Sequence, residues 1–128
     1  MAKTFTDSKG RTWEAVVTIG AARRFERATG LPFFDKATWS RLTQERRVDD
    51  ICALAFAACK FSAKQYGVGA EEFGDQFETA DLFRPMMEAT LEALADFTQS
   101  LSQAEAAAGN LGVGAASTNA PPAPASNA

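Results

Sequence analysis

The chain has 128 residues and a mass of 13.7 kDa, which suits one small domain. A hydrophobic content of 46% with ten phenylalanines can supply a core, and a net charge of −3 argues against a general nucleic-acid binder. The sequence contains no histidine, so a Ser-His-Asp or Cys-His catalytic arrangement is excluded within this chain.

The first predicted unit is a β-hairpin. Two β-prone segments, Phe5-Thr6 and 13–18, flank Asp7–Gly10, a run with the residue types of a hairpin turn. The hydrophobic period then changes from two to about three, which predicts that the hairpin leads directly into a helix.

That first helix has recognisable start and stop signals. Ala22, Phe25 and Ala28 recur at a spacing of three residues. Thr18 is the candidate N-cap and Gly30 the candidate residue just beyond the C-terminus. A hairpin followed by a helix is a compact start to an α+β domain.

Two further helices are predicted in the middle of the chain. Residues 37–45 form a short helix or turn, and 51–66 form a long apolar helix that ends at Gly67. Its apolar residues, which include Phe61, cover more than half of the circumference. We therefore expect 51–66 to be the central helix, surrounded by protein.

The two cysteines lie seven residues apart on that helix. Cys52 and Cys59 would be about 10 Å apart along the axis, too far for a disulfide bond. Two thiols without histidine also make a poor zinc site. We expect both to be buried and reduced.

The last helices are predicted on either side of a glycine-rich break. A short helix carries Phe73 and Phe77 on one face, and a longer one begins between Asp81 and Pro85. The longer helix is expected to stop at Gly109. The fold class is thus α+β and mostly helical: an N-terminal β-hairpin followed by about four to five helices.

The predicted domain organisation is one α+β domain over residues 1–108 and a flexible tail over 109–128. The tail is rich in alanine, proline, glycine and serine and carries no charge. Met1-Ala2-Lys3 leads into a polar segment, so no signal peptide is expected, and no apolar run approaches the ~20 residues of a membrane span.

Charge is distributed unevenly along the chain. Residues 1–50 carry ten basic and seven acidic side chains, whereas 51–128 carry three and nine. Arg23, Arg24 and Arg27 form a basic face on the first helix. Nucleic-acid binding and a solvated face are two interpretations, and contact with an acidic client or neighbouring subunit fits better.

The last helix presents two patterns. Its carboxylate row, Glu88, Glu92 and Asp96, is predicted to be a solvated face, with a divalent cation site as the alternative. Its apolar stripe either closes the core against the central helix or leaves part of its surface exposed for a partner. The candidate partner-binding residues on this stripe are Phe83, Met87, Leu94 and Phe97, with Arg23, Arg24 and Arg27 as their charged complement.

Three segments resemble one family of small phage proteins. The first is the block from Phe5 to Phe34, whose core is Thr-Asp-x-x-Gly-Arg-x-Trp. The second runs from Ile51 to Gly74 and includes Glu-Glu-Phe. The third is Ala89–Phe97. In this order they are similar to the tail assembly chaperones encoded in tailed-phage and prophage tail modules. The resemblance spans about residues 4–100.

The resemblance implies a non-enzymatic role without cofactor or metal. Such chaperones coat the tape measure protein and keep it soluble in the host cell cytoplasm until tail tube subunits polymerise around it. The implied partners are the tape measure protein, with the tail tube protein and a second copy of the chain as further candidates, and neither nucleic acid nor a membrane. The alternatives are a structural tail completion or connector protein of the virion, and a small phage regulatory protein that binds a host protein.

Overall fold

The computed structural model describes residues 2–115, and the side chains of residues 2–105. The chain divides after Asp96 into two units, and the second begins at Phe97. The first unit opens with the predicted hairpin: β1 (Lys3–Thr6) pairs antiparallel with β2 (Thr12–Ala15). The hairpin prediction is confirmed.

The register of the hairpin puts one apolar face towards the core. Phe5 lies opposite Trp13, and Lys3 opposite Ala15. Phe5, Trp13 and Ala15 are all buried, as the two-residue period of a strand requires. The connection closes at Gly10, whose φ of 77° is in the left-handed region that favours glycine.

Helices make up most of the remaining described chain. Their bounds are α1 Ile19–Thr29, α2 Lys36–Ser40 with a π-helical turn over Arg41–Glu45, α3 Val48–Ala58, α4 Lys60–Tyr66, α5 Ala70–Asp75 and α6 Ala80–Ala115. A hairpin followed by helices confirms the predicted α+β, mostly helical class.

The predicted ends of α1 are confirmed. The Thr18 side chain accepts a hydrogen bond from the Ala21 amide, which satisfies one free donor of the first turn. Gly30 adopts a φ of 76° and its amide donates to the Glu26 carbonyl. The buried face of α1 is Ala21, Ala22 and Phe25, and it packs against α3.

The prediction of one central helix over 51–66 is wrong. The structure has two helices, α3 and α4, separated at Cys59, which has a ψ of 36° and donates to the Phe56 carbonyl three residues back. The break coincides with two carbonyls that bond to groups outside the helix: the Val16 amide donates to Ala58 and the Arg24 guanidinium to Ala57. Hydrogen-bond donors from distant parts of the chain thus satisfy the last carbonyls of α3.

The last helix begins one residue before the predicted window, at Ala80. Pro85 therefore lies inside α6 rather than at its start. The amide that Pro85 lacks would have bonded to the carbonyl of Asp81, an exposed residue. The helix also continues past the predicted stop at Gly109 to Ala115, and the rest of the predicted tail lies outside the described residues.

Aromatic side chains form the core around the hairpin. Phe73 of α5 is fully buried, and its ring centroid lies 4.8 Å from that of Trp13 and 4.9 Å from that of Phe77. Phe5 completes this cluster from β1. The predicted helix does not extend to Phe77, since α5 ends at Asp75, but Phe73 and Phe77 still pack together on the buried face of the hairpin.

Candidate interaction surface

The α6 residues predicted to bind a partner differ in exposure. Phe83 and Met87 are half-buried, whereas Leu94 is only 3% exposed. Leu94 thus packs in the core, and the same is true of Met86 and Ala93 on the same helix. This part of the apolar stripe therefore closes the core, which is the first of the two roles predicted for it.

Phe97, the fourth residue of that predicted set, begins the second unit and is half-buried. The structure therefore does not collect the four α6 residues into one exposed patch within the first unit. Their role in binding stays a prediction.

The acidic row on α6 has a cationic neighbour. The Lys3 ammonium lies 3.6 Å from the Asp96 carboxylate and 3.9 Å from that of Glu92. These pairs are partly exposed, so each contributes at most about 1 kcal/mol. Glu88 and Glu92 are exposed and Asp96 is half-buried, which fits the predicted solvated face. Among residues 2–105, no group of three or more potential metal-ligating side chains is placed to hold an ion.

The three arginines of α1 have different environments. Arg23 and Arg27 are exposed, as the partner-binding prediction requires. Arg24 is half-buried, and its Nε and Nη2 both donate to the Ala57 carbonyl, at 3.0 and 2.7 Å. Burial, together with the charge of Arg27, lowers the pKa of Arg24. Arg24 therefore caps the C-terminus of α3.

An apolar surface, absent from the sequence predictions, lies beside this cap. Phe61 of α4 is 85% exposed, Ile19 is 52% exposed and Val16 is 38% exposed. Phe61 and Val16 line one depression of about 290 Å³. Its other lining residues are Glu14, Thr18, Arg24, Ala58 and Lys60. We call this depression, with the neighbouring Ile19, the Phe61 surface.

A second, smaller depression adjoins the Phe61 surface. Its volume is about 160 Å³, and it shares Arg24 and Lys60 with the first depression. Its remaining lining is apolar, from Ala28, Ala53, Phe56, Ala57 and Ala63. Small side chains on α1, α3 and α4 thus leave an apolar groove on the surface. We call the two depressions together the apolar furrow.

The burial predicted for Phe61 is wrong. A continuous helix over 51–66 would have kept Phe61 in register with the buried residues of α3. The break at Cys59 instead turns α4, so that Ser62 and Ala63 are buried and Phe61 is exposed. The flanking Lys60 and Lys64 are the local signal that could have indicated an exposed face.

The thiols have little nucleophilic character. Burial, with the nearby Glu14 carboxylate, raises the pKa of Cys59 to about 12, and burial with Asp49 raises the pKa of Cys52. Since the thiolate is the reactive form, both side chains stay protonated at neutral pH. Both are free cysteines, and Cys59 is buried as predicted while Cys52 is half-buried.

Comparison with family profiles, with curated protein sequences and with solved structures gave no significant match. Within residues 2–115, none of the helices combines the length and the apolar character needed to cross a bilayer.

The capping role of Arg24 can be tested by substitution. We expect Arg24→Ala to lower the free energy of unfolding by about 1.5–3 kcal/mol, since it removes two charge-assisted hydrogen bonds from the Ala57 carbonyl. Arg23→Ala, the neighbouring and exposed matched control, should change it by less than about 0.5 kcal/mol. Urea unfolding measures both, and equal effects would assign Arg24 to the solvated face instead.

Proposed function

We propose that the chain is a non-enzymatic phage tail assembly chaperone, which binds the tape measure protein in the host cytoplasm and keeps it soluble during tail tube assembly. The observation that carries the proposal is the Phe61 surface. Phe61 is 85% exposed and lies beside an apolar furrow, so a large apolar surface is in contact with water. This contact does not stabilise a monomer, whereas a partner could bury the surface. Contiguous apolar patches of this kind mark protein-binding sites.

The surface has the properties that a soluble holding chaperone needs. Its apolar residues sit on a hairpin and helices that the aromatic core fixes, so binding does not require the scaffold to unfold. Lys60 and Arg24 line it, and the exposed Arg27 lies close to Arg24, so these side chains keep the region hydrated and offer partners to carboxylates. The resemblance over residues 4–100 supports the identity of the client.

Co-expression with the tape measure protein tests the proposal. The soluble fraction of the tape measure protein should rise when the chain is present, and should fall several-fold with Phe61→Ser. Phe34→Ser is the matched control, because Phe34 is also exposed, by 54%, but lies outside the lining of both depressions. Melting temperatures of both variants verify that they are folded.

Two results would contradict the proposal. One is a tape measure protein whose solubility is the same with and without the chain. The other is recovery of the chain from purified virions in the stoichiometry of a tail component, which would favour the structural tail protein instead.

A further inference from the structure

We propose that the Phe61 surface binds a client helix whose apolar stripe is flanked by carboxylates. The inference rests on the proposed function in taking the occupant to be a protein client, and it adds the chemistry by which the client is selected. Three observations carry it: the outer edge of β2 is covered, the apolar furrow extends along α1, and the walls are mainly basic.

The covered edge of β2 excludes strand addition there. An exposed edge would accept a client strand through its free amides and carbonyls. In this protein the Glu14 amide donates to Ser62 Oγ at 3.0 Å, and the Val16 amide donates to the Ala58 carbonyl at 3.0 Å. The Tyr66 hydroxyl donates to the Thr12 carbonyl at 2.6 Å. Helix α4 thus takes the place of a third strand.

The furrow has the dimensions of a short helix contact. The lining residues of its two depressions on or beside α1 run from Thr18 to Ala28, which corresponds to ~15 Å at 1.5 Å per residue. Three turns of a client helix cover that length, with apolar side chains three, four and seven residues apart. The smaller depression, at about 160 Å³, lies below the usual range for small-molecule sites, roughly 300–1,000 Å³, and the larger, at about 290 Å³, lies at its lower limit.

The charges around the furrow favour an acidic partner. Lys60 and Arg24 line both depressions, and Glu14 is the single carboxylate in either described lining. Lys64 lies one turn after Lys60 on the exposed side of α4. Arg27 lies close enough to Arg24 to affect its pKa. A client with carboxylates beside its apolar stripe would meet complementary charge, which sets specificity and speeds association.

Two synthetic helical peptides test the inference. Both carry the same leucine stripe at helical spacing, and their flanking positions are glutamate in one and lysine in the other. Isothermal titration calorimetry with the full chain should show at least tenfold tighter binding of the glutamate peptide at low salt. The difference should shrink as ionic strength rises, because exposed charge pairs are screened.

Variants locate the binding. Phe61→Ser should weaken the glutamate peptide at least tenfold, and the double variant Lys60→Glu and Lys64→Glu should reverse the preference between the peptides. Lys36→Glu makes the same kind of charge reversal at an exposed lysine on α2 outside both depressions; it is the control and should leave the preference unchanged. Amide chemical shifts should move at Val16, Ile19 and Phe61 on titration.

The possible failures are distinguishable. Equal affinity for both peptides, or binding of neither, overturns the inference. The proposed function still stands in that case if Phe61→Ser abolishes the effect of the chain on tape measure solubility. Binding to vesicles of anionic lipid that Phe61→Ser removes, with no peptide binding, overturns it in favour of a lipid surface. Peptide discrimination as expected, without any effect on the tape measure protein, supports the surface chemistry and overturns only the proposed client.

Discussion

Phe73→Ala should destabilise the protein by about 3–5 kcal/mol, the usual cost of removing a buried phenylalanine side chain. Phe73 is 0% exposed and its ring packs against four others. Its ring centroid lies 4.8 Å from Trp13, 4.9 Å from Phe77, 5.4 Å from Phe56 and 6.5 Å from Phe5. The substitution leaves a cavity between the hairpin and α5, so it removes the packing that joins them.

The measurement is urea unfolding, followed by tryptophan fluorescence since Trp13 is in the cluster. Phe61→Ala makes the same chemical change at a residue exposed by 85% and should alter the free energy of unfolding by less than about 0.5 kcal/mol. Phe73→Leu keeps most of the apolar volume and gives a measurable intermediate if Phe73→Ala fails to fold. A loss below about 1 kcal/mol for Phe73→Ala would show that the cluster does not hold the hairpin to α5.

Local signals were enough to predict the hairpin and the ends of α1. Thr18 and Gly30 delimit α1 because capping and a left-handed backbone conformation are properties of single residues and their neighbours. The turn around Gly10 is similarly local. These predictions required no knowledge of long-range contacts.

The candidate site could not be predicted in the same way, because it depends on contacts between distant segments. The break after α3 involves donors from Val16 and Arg24, which lie more than thirty residues before the carbonyls that they bond to. An apolar period in 51–66 cannot reveal those donors. A continuous helix predicts that Phe61 is a core residue. Because the helix breaks, Phe61 is instead the most exposed large apolar side chain among the described residues.

The same contacts connect the fold to the proposed function. The sequence predicts that Arg24 belongs to a basic face of α1. In the structure its guanidinium caps α3, and Arg24 also lines the two depressions. The residue that ends α3 therefore also shapes the surface where the client is proposed to bind. Arg24→Ala should consequently affect stability and client solubility together, whereas Phe61→Ser should affect client solubility alone.

Asp7→Ala should be the most destabilising change in the hairpin turn, by about 3–5 kcal/mol, because it removes one partner from a buried ion pair. The Asp7 side chain is fully buried, and its Oδ2 accepts from Arg11 Nε at 2.8 Å and from the Trp13 indole at 2.9 Å. Its Oδ1 accepts from the amides of Lys9 and Arg11, both at 2.9 Å. Alanine would leave these donors, including a buried indole N–H, without an acceptor.

Asp7→Asn removes the charge and also replaces one acceptor oxygen by an amide donor, so the pH dependence of its effect is what reports on the charge. Burial opposes ionisation of Asp7, but the hydrogen bonds from Trp13, Arg11 and Lys9 outweigh it and lower the pKa of the carboxyl below its ordinary 3.8. As pH falls, the unfolded chain takes up the proton before the folded one does, so the contribution of Asp7 is complete above about pH 5 and declines as pH falls through the folded pKa.

The difference in unfolding free energy between the wild-type chain and Asp7→Asn should therefore be constant from pH 7 to about pH 5 and shrink below it. The other carboxylates titrate in both proteins, so they cancel in this difference when they do not contact residue 7. Urea unfolding at pH 7, 5 and 3 measures it. A difference that stays constant down to pH 3 would mean that folding does not lower the pKa of Asp7, and that ionisation of Asp7 does not stabilise the turn.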